Sequence, residues 1–192
     1  MARPRVHDDA LRVRLLEEAS ALVATGGAHG LTVRDLAARA GTSASAVYSL
    51  FGSRDDLVRA VGDEAFARFA DRLAAVPRTA DAAADLLGLG LAYRRYALDD
   101  PHFYRVMFGA TGAGQQDGTR GTATASATFG VLRDAVARVL GVGPRAAQEP
   151  ALGLWALVHG LVELELDGLL PDGTADRYER VLRAAGPGIL GG

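Results

Sequence analysis

Between Thr32 and Leu57 the chain starts three helices and stops two, and this punctuation limits the fold more than any other feature. Thr32 is a good N-cap with Asp35 three residues on, a capping-box spacing with Asp in place of Glu. Val33, Leu36, Ala37 and Ala40 follow at i, i+3, i+4 and i+7, and Gly41 ends that helix in a tight turn. Ser43 caps a second short helix that ends near Phe51 and Gly52. Ser53 caps a third, again with an acid, Asp56, three residues later. The two enclosed helices have about two turns each, too few for independent stability, so they must lean on neighbours.

Two short helices joined by a glycine-containing turn have the spacing of a helix-turn-helix. In that motif the second helix enters the DNA major groove, roughly 12 Å wide, with its N-terminal end toward the base edges. Small residues at Ser43, Ala44, Ser45 and Ala46 let the backbone come close, and a helix N-terminus offers free N–H groups to phosphates. Val47 and Phe51 are four apart and are expected to face the preceding helices, leaving Tyr48 beside that seam with its hydroxyl in reach of a phosphate.

Helical patterning continues through the rest of the 192 residues. A first helix is expected over about 8–25, with Leu11, Leu15, Ala19, Leu22 and Val23 as its stripe and Gly26–Gly27 as its stop. The helix capped by Ser53 buries Leu57, Val61, Ala65, Phe69 and Leu73 and closes at Pro77. Others are expected near 80–98, 101–108, 122–140, 147–169 and 174–186. The Gly-, Thr- and Gln-rich stretch 109–121 lacks apolar period and is expected to be a mobile loop, either a lid or a plain connector.

Composition narrows the function classes. Apolar residues make up 49% and charged residues 23%, enough to bury a core. Every basic residue besides histidine is Arg, a pattern that reads mainly as coding bias. The chain has no Cys, so disulfides, thiolate nucleophiles and Cys-ligated metals are out of reach, which suits a reducing cytoplasm. The N-terminus lacks the apolar core of a signal peptide. The most apolar run, 152–170, is broken by His159, Glu163, Glu165 and Asp167, which argues against a membrane span. Net charge is −2, so the chain is not generally basic. Arg3 and Arg5, however, lie in a tail free of acids.

The stretch "GLTVRDLAARAGTSASAVYSLFGSRDDLVRAV", Gly30 to Val61, resembles the DNA-binding domain of the TetR/AcrR family of bacterial transcriptional regulators. The matching elements are "LTVRDLAARAG", the small-residue turn, "VYSLF" and the helix-starting "SRDDL". "LWALVHGLVELEL", from Leu154, also looks like the Trp…His-Gly helix of one family branch. The resemblance implies an all-α fold of about nine helices. An N-terminal three-helix DNA-binding domain, 1–54, would be followed by a helical ligand-binding and dimerisation domain, 55–192. It implies backbone contacts from Thr32 and Arg34 at the start of the second helix. It implies DNA contacts from Thr42, Ser43, Ser45, Ala46 and Tyr48 in the turn and recognition helix, and a phosphate held by Arg54. Arg3 and Arg5 would follow the minor groove, as flexible basic arms do in other DNA binders. The sequence departs from the family at Thr42, usually apolar, at Leu50, often His or Tyr, and at Ala44, commonly Lys or Arg. With so few groups for bidentate base contacts, shape, methyl contacts and phosphate positioning are expected to carry much of the specificity.

A lone helix-turn-helix makes too few phosphate contacts for useful affinity, whereas a two-fold dimer binds half-sites about 34–36 Å apart or a multiple of that. The helix at 147–169 is apolar on most sides, and Gly153, Ala156 and Gly160 permit close approach of another helix. Leu152, Ala156, Gly160 and Glu163, with Tyr178, Val181, Leu182 and Ala185 of the last helix, are the expected homodimer interface. Intramolecular core is the alternative for both helices, but so much apolar surface for a small domain favours the interface. The resemblance also implies a pocket for a small hydrophobic effector, with Tyr93, Tyr96, Phe103, Met107, Phe108, Phe129, Trp155 and His159 as candidate lining, although aromatic and Met residues at helical spacing are core first. His159 and Glu163 have a metal-compatible i, i+4 spacing but no neighbouring His or Cys to complete a site, so His159 reads as a hydrogen-bonded core residue.

The expected function is therefore a cytoplasmic, ligand-responsive repressor that binds a palindromic operator in double-stranded DNA as a homodimer, with neither cofactor nor membrane involved. A helical enzyme would need a nucleophile and base, or a metal set, and no such grouping is evident. A helical protein-binding adaptor that has lost DNA binding is the alternative, kept open by Ala44 and Leu50.

Overall fold

The computed structural model describes residues 5–108, 120–170 and 174–191, with side chains described for 8–108, 127–170 and 176–191. Among the described residues there are nine helices and no strand. They are α1 (Arg5–Gly30), α2 (Val33–Arg39), α3 (Ala44–Phe51), α4 (Arg54–Ala74), α5 (Ala82–Asp99), α6 (Pro101–Phe108), α7 (Arg120–Leu140), α8 (Gln148–Leu166) and α9 (Thr174–Gly191). No helix among these residues is long and apolar enough to cross a membrane. The chain forms two compact units. One comprises residues 1–68 and 102–124, the other 69–101 and 125–192.

In the first unit α1, α2 and α3 pack on one another. The expected stripe of α1 is buried at Leu15, Ala19 and Val23, joined by Leu16. The helix breaks at Gly27, which takes φ 65° and ψ −179°, a conformation that glycine reaches without steric cost. The chain then turns helical again as far as Gly30. Arg5 opens α1 instead of lying in an extended tail, and Arg3 lies outside the described residues.

The second unit packs α8 and α9 against α5 and against each other. A cluster of Val136, Ala137, Ala147, Ala151 and Leu154 anchors α7 to α8, and Leu86, Phe129, Leu132, Leu140, Ile189 and Leu190 pack around it. Ile189 and Leu190 explain why α9 runs past its expected end at 186 and through Pro187. Their burial outweighs the local cost of an interior proline, which forfeits one backbone hydrogen bond. The approach of α9 to α8 is close: a Cβ on Gly153 would sit 2.9 Å from Ile189 Cγ2. The same holds on α5, where a Cβ on Gly90 would sit 2.8 Å from Leu182 Cδ1. Of the loop expected at 109–121, residues 109–119 lie outside the described set, and α7 already begins at Arg120.

Candidate nucleic-acid interface

The α2–α3 corner is built by side chains capping their own helices. Thr32 Oγ1 accepts the Asp35 N–H at 3.1 Å and donates its proton to the Asp35 carboxylate at 2.7 Å. An aspartate at this position thus binds the cap hydroxyl. At the far end Thr42 N–H reaches Ala37 O at 2.9 Å and Gly41 N–H reaches Ala38 O at 3.3 Å, with Gly41 at φ 65°. This is a Schellman closure, and it needs the left-handed residue that glycine supplies. Ser43 Oγ accepts from Ala46 N–H at 3.1 Å and starts α3 immediately afterwards.

This geometry sorts α3 into two faces. Val47 and Phe51 are buried, with the Arg12 guanidinium 4.7 Å over the Phe51 ring. Ser43, Ala44, Ser45, Tyr48 and Ser49 are exposed, Tyr48 to 50%. Thr42, Ala46 and Leu50 are half-buried. The outer surface of α3 is thus hydroxyls and methyls with no charged side chain. Thr32 and Arg34 are exposed beside it, and Arg34 makes no ion pair among the described residues. Arg39 pairs weakly with Glu18 at 3.8 Å.

Arg54 differs from its neighbours. Its Nε donates to Leu31 O at 2.8 Å and one terminal nitrogen donates to Ala28 O, while the other lies 3.2 Å from Asp55 Oδ1. The family resemblance implies a phosphate on Arg54, whereas these carbonyls, 23 and 26 positions away, leave no local mark in the sequence. Next to it, Ser53 Oγ accepts the Asp56 N–H at 3.0 Å. The Ser53 hydroxyl, and then Arg59, hold the Asp56 carboxyl below its ordinary range.

The candidate effector residues divide between the units. In the first, Phe103 and Met107 are buried, Phe103 under the Arg68 guanidinium at 4.3 Å, and Phe108 stands 5.0 Å from Tyr104. In the second, Phe129, Trp155 and His159 form a half-buried row, with ring centres 6.0 and 6.2 Å apart. Tyr93 OH lies 3.0 Å from His159 Nδ1, which gives the histidine the hydrogen bond expected of it. Tyr93 and Tyr96 are sealed in the core around Phe69, at 5.4 and 5.2 Å. None of the eight lines the open hollow of about 460 Å³ in the second unit, which is bordered by Arg78, Arg133 and Arg138.

The expected interface set also divides. On α8, Leu152 and Ala156 are exposed, Gly160 and Glu163 are half-buried, and Leu164 extends the same open face. Ala151, Leu154, Val158 and Val162 are buried on the opposite side, so α8 is one-sided rather than enclosed. Val181 and Ala185 are half-buried. Tyr178 and Leu182 must be reassigned, because both are buried within the second unit of the single chain. The Tyr178 hydroxyl donates to Gly90 O at 2.9 Å, and burial pushes this phenol above its ordinary range.

Two polar groupings of this unit had no local signal. Arg94 grips Glu165 with two bonds, Nε at 2.7 Å and a terminal nitrogen at 2.5 Å, across 71 positions. The hydrogen bonds it donates to Glu165 hold the Arg94 guanidinium above its ordinary value. Asp85 is buried and accepts from Thr79 N–H at 2.7 Å, Thr79 Oγ1 at 2.9 Å and Arg138 at 3.1 Å. Burial alone would raise its carboxyl, yet these donors hold it below the usual range.

Comparison with known proteins agrees with this geometry. Residues 15–61 match the family described as bacterial regulatory proteins, tetR family, and residues 86–185 match the tetracyclin repressor-like C-terminal domain. The chain is 31% identical over 180 residues to Rv0681 of Mycobacterium tuberculosis, named an uncharacterized HTH-type transcriptional regulator, covering 91% of this chain and 79% of that protein. The crystal structure of SCO4313 superposes with a TM-score of 0.76 at 29% identity over all of both chains. PfmR from Thermus thermophilus, a TetR family transcriptional regulator, shares the fold with a TM-score of 0.70 at 23% identity, covering 93% of this chain and 98% of that one. A capped helix-turn-helix of this shape, ahead of a helical half that matches over so much of its length, makes this chain a member of the TetR family of DNA-binding transcriptional regulators.

Proposed function

We propose that the protein is a homodimeric repressor that seats α3 in the major groove of a palindromic operator and is released by a small hydrophobic effector. The observation that carries this reading is the outer face of α3. Exposed hydroxyls and methyls stand on a buried Val47–Phe51 base, with Arg34 exposed on the neighbouring helix. Such a face reads shape and thymine methyls, with hydroxyls and Arg34 left for the phosphates. The DNA-contacting set is then Thr32, Arg34, Thr42, Ser43, Ser45, Ala46 and Tyr48. It falls within the proposed DNA-binding domain, 1–54.

Pairing is assigned to the open face of α8. Leu152 and Leu164 are 45% and 41% exposed, with Ala156 and Gly160 between them. Large aliphatic side chains flanking small ones favour helix-on-helix packing. For the effector, the half-buried row of Phe129, Trp155 and His159 offers ring faces and one imidazole without dismantling the core. Release follows if the effector prefers a dimer shape whose two α3 helices no longer match successive grooves. It can shift that balance only by its differential affinity for the two shapes.

The decisive experiment is a mobility-shift titration against duplexes selected from a random pool, run beside sedimentation. A palindromic consensus bound by two chains is expected. Indifference to every duplex at low ionic strength would sink the reading in favour of a protein-binding adaptor, and a monomer at micromolar concentration would remove the dimer. Trp155 is the single tryptophan, so its fluorescence reports effector binding directly.

A further inference from the structure

We infer that Arg54 is a positioning residue of the DNA-binding unit. It latches the corner between α1 and α2 onto the first turn of α4 and is not a contact to the DNA backbone.

The two carbonyls it holds are well chosen for that task. Ala28 O and Leu31 O lie after the Gly27 break, where α1 has run out of N–H partners for its last acceptors. Leu31 is fully buried and directly precedes Thr32, the cap from which α2 starts. Fixing Leu31 O therefore fixes the direction in which α2 leaves, and α3 follows through the tight Gly41 turn. The planar guanidinium engages both carbonyls at once, with Nε on one and a terminal nitrogen on the other, a fork that a lysine ammonium cannot reproduce. Its positive charge also sits where the carbonyl end of a helix favours a cation. The remaining terminal nitrogen faces Asp55, which offsets the charge further. Other side-chain hydrogen bonds described around this corner, at Thr32, Ser43 and Ser53, span three positions, whereas those of Arg54 to the carbonyls span 23 and 26. Arg54 thus ties the corner from which α2 departs to the first turn of α4.

The inference rests on the docking of α3 proposed above, and its test keeps the two apart. Wild type, Arg54→Lys, Arg54→Gln and Arg54→Ala full-length proteins are titrated with the selected duplex over a range of salt, and amide exchange of α2 is followed without DNA. A latch predicts that Lys and Ala both weaken binding on the order of tenfold, the effect of a lost charge-assisted hydrogen bond. It predicts an unchanged slope of log K against log salt, and faster exchange at Leu36 and Ala37 in both variants. Gln, which keeps one amide donor but no charge, is expected to bind better than Ala. A phosphate contact predicts the reverse: Lys rescues, Gln does not, and the slope of the Ala variant falls by about one. Rescue by Lys, a reduced slope or unaltered exchange each overturns the latch. If the Ala variant fails to fold, the Lys and Gln comparison decides. If wild type binds no duplex, the docking proposal fails by itself, and exchange still rules on the latch.

Discussion

The two units hold themselves together with polar bonds of different reach. In the first, the hydrogen bonds that start its short helices are caps spanning three residues, Thr32 with Asp35, Ser43 with Ala46 and Ser53 with Asp56, and the long-range ties of Arg54 are the exception. In the second the bonds join segments far apart in the chain: Tyr93 with His159, Arg94 with Glu165, Asp85 with Arg138, Tyr178 with Gly90. Local caps fix where a short helix begins and therefore how a recognition helix is presented. Long-range pairs fix how helices stand beside one another. Such an arrangement has two discrete packings available more readily than a capped turn does, which suits the half to which an effector response is proposed.

The contrast is sharpest at Arg94 and Glu165. Glu165→Ala should cost about 3–5 kcal/mol in urea unfolding, because it strands a largely buried guanidinium, and replacing both partners with Met and Leu should recover most of that loss. If the single variant unfolds like wild type, the second unit does not depend on its long-range pairs. Gly90→Ala comes next. The added methyl would push on Leu182 beneath the Tyr178 bond, at a cost of about 1–3 kcal/mol typical of overpacking. Thermal unfolding of this variant should be lowered while duplex binding per folded molecule is retained. Ser53→Ala and Thr32→Ala should each cost only ~1 kcal/mol, the usual worth of a cap, with faster amide exchange confined to the adjoining helix. A cap variant that loosened α8 would erase the distinction between the units.

The smallest effect at neutral pH concerns Asp85. Its folded carboxyl is held below the ordinary value, so its contribution is present above the unfolded pKa of about 3.9 and is lost as pH falls through the folded one. Asp85→Asn should flatten the acid limb of the stability curve in that window. An unchanged limb would mean that the Thr79–Asp85–Arg138 group is incidental.

The same difference in reach explains how much could be read in advance. The caps, Gly41, the buried pair Val47–Phe51 and the exposure of Tyr48 follow from residues at fixed short spacings. The roles of Arg94, Asp85 and Arg54 do not, because a charged side chain carries no mark of a partner dozens of positions away. Tyr178 and Leu182 were expected at an interface because an apolar stripe looks alike whether it meets its own chain or a copy. Their burial by α5 settles which. The end of α9 lies beyond the expected 186 for a related reason, since the cluster that rewards the extra turn, joined by Ile189 and Leu190, is assembled from α7 and α8.

The absence of ionised groups along Ala44–Phe51 has one more implication. The outer face of this helix holds no carboxylate, imidazole or guanidinium. A response of duplex binding to acidity in this protein would therefore have to be relayed to α3 from outside that face.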